Sequence, residues 1–186
     1  METSRNHPIL IQLSLLVLLL AGFMHSLPAQ SQSNRELKEM QVKAAYLYNF
    51  TKFIYWNSRE DAVEPVTIGL IQADDIALLL EDYIRAKAPE SGIRVKKITP
   101  SPADLAACQF VYVDQSQEDI LEGILTNIKK SKVLTVSDIY GFARRGGMIG
   151  FFQEEGRIRV EINLNEVEKA GLEVSAKLVE VARIVK

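Results

Sequence analysis

The chain has 186 residues with 22 basic and 24 acidic side chains, a formal charge of −2, so it lacks the basic excess that a nucleic-acid phosphate backbone selects. Its single cysteine, Cys108, excludes an internal disulfide. Both histidines, His7 and His25, lie in an N-terminal segment that reads as removable. Without them no Ser-His-Asp or Cys-His pair, H-E-x-x-H zinc motif or imidazole-ligated metal can form.

That segment, Met1 to Ala29, has a polar start with Arg5, an apolar run from Ile9 to Met24 and a Leu27-Pro28-Ala29 exit, the pattern of a secretory signal. The run is short for a membrane span of about 20 apolar residues. Cleavage leaves 157 residues, 30–186, an exported chain without nucleic-acid partners. It is long enough for one domain that buries about 70% of its unfolded surface.

From Asn34 to Trp56 the spacing predicts a helix apolar nearly all round. Val42, Tyr46, Phe50, Phe53 and Trp56 form one stripe, and Ala44, Leu47, Tyr48, Ile54 and Tyr55 fill much of the rest. Phe50 and Phe53 read as core. Tyr46, Tyr48, Tyr55 and Trp56 are candidates for a partner surface, where tyrosine and tryptophan are favoured.

Beyond Pro65 strands and helices alternate. Strands are expected at 66–71, 93–98, 110–113 and 133–136, and helices after Asp74-Asp75, at 102–107 and at 118–130. This order implies crossover units, and hence a single three-layer α/β domain with a mostly parallel central sheet flanked by helices. Cys108, just before Phe110-Val111-Tyr112-Val113, reads as a buried structural thiol.

Residues 147–153 and 157–163 then predict an antiparallel hairpin around Glu154-Glu155-Gly156. A three-residue loop sets Phe152 opposite Ile158, leaving Ile149 and Phe151 on the outer face beside Arg157, Arg159 and Glu161. Those charges read as blunting a sheet edge, and Ile149, Phe151, Arg157 and Arg159 join the partner-surface candidates. Helices are expected at 164–170 and at 175–185, the second turning Leu178, Val181, Ala182 and Val185 inward.

No phosphate-binding fingerprint is present: Gly146-Gly147-Met148-Ile149-Gly150 opens a strand rather than a helix, so no cofactor, metal or catalytic residue is assigned. In open parallel sheets ligands collect beyond the carboxyl ends of the strands. There the sequence places Asp114, Ser137 and Asp138, with Arg144 and Arg145 as a cationic rim. The same residues are good caps, so capping and a small-ligand pocket are both open readings.

The run Val42-Lys43-Ala44-Ala45-Tyr46-Leu47-Tyr48-Asn49-Phe50-Thr51-Lys52-Phe53-Ile54-Tyr55-Trp56 resembles the start of the mature YfiR-like family of exported bacterial proteins. So do residues 133–138, 146–151, 156–163, Ala170-Gly171-Leu172 and 175–178, in order along the chain. The resemblance implies a periplasmic, non-catalytic α/β regulator, often a homodimer. It would repress a membrane signalling protein with a periplasmic domain, a diguanylate cyclase or a sensor kinase, and so set cyclic di-GMP and biofilm formation. The alternative is a periplasmic small-ligand-binding sensor. Cys108 departs from the pattern, because the better-known repressor of this family has paired cysteines.

Overall fold

The computed structural model describes residues 29–56, 65–129 and 131–186. The expected secretory signal, Ala29 apart, lies outside the described residues, as do both histidines. Contacts divide the chain into a unit ending at Lys38 and a main unit, Glu39–Lys186. The elements are α1 (Ala29–Phe53), β1 (Ile54–Trp56), β2 (Thr67–Ile71), α2 (Asp74–Lys87), β3 (Arg94–Lys97), α3 (Pro102–Ala106), β4 (Phe110–Val113) and α4 (Leu121–Ile128). They continue with β5 (Leu134–Ser137), β6 (Ile149–Glu154), β7 (Arg157–Asn163), α5 (Leu164–Lys169), β8 (Leu172–Val174), α6 (Ala176–Val181) and β9 (Arg183–Val185).

Seven strands form one sheet in the order β3-β2-β4-β5-β6-β7-β9. Every neighbouring pair is parallel except the β6–β7 hairpin. The central strands β2, β4 and β5 are buried along their whole length, which is why their sequences run apolar instead of alternating. Ile68, Leu70, Phe110, Tyr112, Leu134 and Val136 pack on one face with Leu47 and Phe50 of α1 and Leu80 of α2. Ile71, Val111 and Val113 pack on the other with Leu105 of α3 and Leu121 and Ile124 of α4. The expected three-layer α/β architecture with a mostly parallel sheet is therefore present.

A glycine sits at a close approach on that second face. A Cβ on Gly69 would stand 2.5 Å from Ile98 Cδ1 and 2.8 Å from Cys108 Sγ. Cys108 is buried and free, a core thiol as the sequence suggested. Burial pushes its pKa up, so it is held as the neutral thiol.

Three expectations are corrected. The hairpin loop has two residues, Glu155 and Gly156, both at positive φ (51° and 72°), the conformation of a tight I′ turn. Glu155 adopting the left-handed region removes one residue from the expected loop. The pairing becomes Phe151 with Val160 and Phe152 with Arg159. A one-residue slip exchanges faces, so Ile149 and Phe151 are core residues, not members of an outer surface.

The C-terminal helix ends at Val181, and Arg183–Val185 forms β9 beside β7. Val181, expected to face inward, is exposed, and β7 is an interior strand whose edge is covered. Finally, α1 stops at Phe53, because Ile54-Tyr55-Trp56 pairs antiparallel with Leu172–Val174 in a separate two-stranded sheet. Backbone pairing of these two segments overrides the helical spacing of the apolar residues.

Candidate functional site

Beyond the carboxyl end of β5 and alongside residues of β6 and β7 lies an open cleft of about 840 Å³. Lys43 of α1, Asp138 after β5, Arg144 and Glu161 of β7 contribute to it, with Tyr140, Phe152 and Gln153 around them. Asp138 follows Ser137, which pairs with Val113, and so shares the face of Tyr112 and Val136. Its Oδ2 accepts from Lys43 Nζ at 2.5 Å, an ion pair between side chains only 14% and 8% exposed. This contact ties the helix to the end of the sheet.

Oδ1 of Asp138 and the hydroxyl of Tyr112 are buried and complete no hydrogen bond. The Tyr112 pKa is driven well above the ordinary tyrosine value, first by burial and then by the negative charges of Asp138 and Asp114 and its closeness to the Asp138 carboxylate. Tyr112 stays a neutral phenol in the floor beneath Asp138.

Glu161 makes the second acidic position. Its side chain is 7% exposed, and its ion-pair partner, Arg144 Nε, is 3.8 Å from Oε2. The space is made by Gly150, its partner across the hairpin: a Cβ there would meet Glu161 Cγ at 3.2 Å, Glu161 Oε1 at 3.3 Å and the Ala143 backbone nitrogen at 3.5 Å. The short 3-10 turn Phe142–Arg145 thus comes down on this face, held by Asn163 Nδ2 donating to the Ala143 carbonyl at 2.8 Å.

Of the five expected ligand residues, the cleft gathers Asp138 and Arg144. Ser137 is buried instead, donating to the Val113 carbonyl at 2.7 Å and accepting from the Ile139 amide at 3.0 Å. Asp114 caps the following turn through the Ser116 amide, and Arg145 pairs with Glu118 at 2.6 Å. For these three, local turn chemistry and pairing explain the residue.

The expected partner residues also separate. Tyr55 is 51% exposed, and Arg157 and Arg159 are exposed, with Arg159 3.8 Å from Glu154. Trp56 is half-buried and its Nε1 donates to the Lys132 carbonyl at 3.0 Å. Tyr46 is half-buried between Phe50 and Phe151, with ring centroids 5.9 and 5.8 Å away. Tyr48 is buried against Tyr83, which removes it, with Ile149 and Phe151, from any surface.

Lys43, Tyr140 and Gln153 were not singled out by the sequence, and Glu161, expected as an outward charge on a sheet edge, is buried instead because the hairpin register sets it opposite Gly150. One signal was there for Glu161: a glycine inside a strand marks a close approach, and Gly150 is its cross-strand neighbour.

The fold and the cleft together define an α/β domain with a mostly parallel sheet and a cleft lined by carboxylate, cationic and aromatic side chains. No helix among the described residues is long and apolar enough to cross a membrane. The chain belongs to the YfiR/HmsC-like family, whose model matches residues 40–183.

Among solved structures it is similar to one titled the ABC domain in complex with L-Trp from Streptococcus pneumonia, with 13% identity, a TM-score of 0.48 and coverage of 64% of this chain and 55% of that one. It is also similar to a conserved domain protein from Vibrio cholerae O1 biovar eltor, with 14% identity, a TM-score of 0.46 and coverage of 64% and 54%. The chain spans about half the length of these structures, and likenesses at this level carry no functional argument. No curated protein matches the sequence.

Proposed function

We propose that the chain is a periplasmic, non-catalytic regulator that binds the periplasmic domain of a membrane signalling protein such as a diguanylate cyclase. By holding that partner in one state it would control cyclic di-GMP and biofilm formation. The observation that carries this reading is membership of the YfiR/HmsC-like family along nearly the whole main unit. Two surfaces support it: Tyr55 on the small sheet, and Arg157 and Arg159 on β7, where an aromatic ring or a guanidinium can anchor a protein contact.

The test is affinity capture from solubilised inner membranes on immobilised residues 30–186, followed by mass spectrometry. A membrane protein with a periplasmic domain and a cytoplasmic signalling domain is expected, and its capture should fall at least tenfold with Arg159→Glu or Tyr55→Ala. Recovery of no such protein would overturn the reading. Equal capture by both variants would remove these two surfaces from it.

A further inference from the structure

The cleft holds a feature that folding alone does not explain. Glu161 is more than nine-tenths buried, accepts no hydrogen bond from the described residues, and its ion-pair partner lies at the loose distance of 3.8 Å on a side chain that is itself 60% exposed. A largely buried carboxylate left this short of donors is costly, and Gly150 opposite leaves the room it occupies. The remaining cations of the cleft are committed, Lys43 to Asp138 and Arg183 to Glu154. Glu161 therefore faces the cleft as an acceptor in need of donors.

We propose that this cleft binds a neutral saccharide, with vicinal hydroxyls donating to Glu161 and accepting from Arg144. Charge selects the class. Three acidic and three basic side chains line the cleft, Glu39, Asp138 and Glu161 against Lys43, Arg144 and Arg183, so neither an anion nor a cation gains a net field. Planar carboxylate and guanidinium groups offer paired acceptors and donors at the spacing of adjacent ring hydroxyls, and Gln153, whose Nε2 donates to Glu39 Oε1 at 2.7 Å, keeps its amide oxygen as a further acceptor. Tyr140, 90% exposed at the rim, offers a bare aromatic face for the C–H side of a pyranose ring. About 840 Å³ accommodates more than one sugar unit. This inference is independent of whether the chain has a membrane partner.

The test is NMR titration of the purified 30–186 chain with glucose, galactose, N-acetylglucosamine and their β-linked disaccharides, with putrescine and citrate as charged probes of the same cleft. A saccharide should shift amides of residues 138–144 and 150–161, with millimolar or tighter affinity. Glu161→Gln, which keeps the shape, and Tyr140→Ala, at a fully exposed position, should each weaken it at least fivefold while leaving the rest of the spectrum in place. Binding of putrescine or citrate but of no saccharide would overturn the class. Saccharide binding unchanged in both variants would overturn the site, and no response to any probe would overturn the proposal.

Discussion

Lys43 and Asp138, 95 residues apart in sequence, meet at 2.5 Å between Nζ and Oδ2 and fasten α1 across the carboxyl ends of the sheet. Both side chains are largely withdrawn from water, so the pair carries the desolvation cost of two charges and is held by their mutual attraction. Removing one partner strands the other. Lys43→Met leaves Asp138 buried with neither oxygen paired and is expected to cost about 3 kcal/mol in urea denaturation. Lys43→Met combined with Asp138→Asn should recover part of that loss, because no buried charge is left alone. A single-variant loss below about 1 kcal/mol would show a solvent-screened pair instead.

The hairpin register makes a second prediction. Phe151 packs with Tyr46, Phe50 and Tyr112 in the core, whereas Phe152 lies on the opposite face with the Arg183 guanidinium 4.0 Å from its ring centroid. Phe151→Ala should cost about 3–5 kcal/mol, the range for deleting a buried aromatic. Phe152→Ala should cost about 1 kcal/mol, chiefly the lost cation–π contact. Denaturation of the two variants decides between the pairings, since a three-residue loop would reverse the order.

The same hairpin shows what was legible in the sequence and what was not. Continuous apolar runs such as Phe110-Val111-Tyr112-Val113 announce strands buried on both faces, and their alternation with helices gives the layers. Register depended on whether Glu155 would accept a positive φ, which its residue type does not advertise. Arg183–Val185 continues a helical spacing, yet pairing with β7 draws it into the sheet. In the candidate cleft, the position of Asp138 follows from its place after the end of β5, and that of Arg144 from the basic pair just before Gly146-Gly147. Lys43 was not legible, because its partner lies on a distant loop and only tertiary packing brings the two together.

Gly147 gives a prediction about packing rather than charge. A Cβ at this position would lie 2.2 to 2.5 Å from three ring atoms of Phe142, a side chain that is itself fully buried. Gly147→Ala must therefore displace the ring, at an expected cost of about 2–3 kcal/mol. Gly123, on the exposed side of α4, meets nothing within 4 Å. Gly123→Ala should stabilise by up to about 1 kcal/mol through helix propensity. Thermal melts of the pair separate steric from conformational effects, and a neutral Gly147→Ala would refute the close approach.

Alkaline pH should weaken the fold through two buried acids. Burial raises the pKa of Cys108, and burial with the nearby Asp138 and Asp114 charges raises that of Tyr112 further. In both, folding favours the protonated form, so the unfolded chain releases its protons first as the pH climbs. Their contribution is complete below the unfolded values and is lost progressively as the pH rises above roughly 9 towards the folded values. The urea midpoint should accordingly fall between about pH 8 and pH 11. Tyr112→Phe keeps the ring, removes the titrating hydroxyl that completes no hydrogen bond, and should flatten the fall. Cys108 should resist thiol reagents at pH 8 until urea unfolds the chain. An alkaline fall equally steep in Tyr112→Phe would assign the effect to other groups.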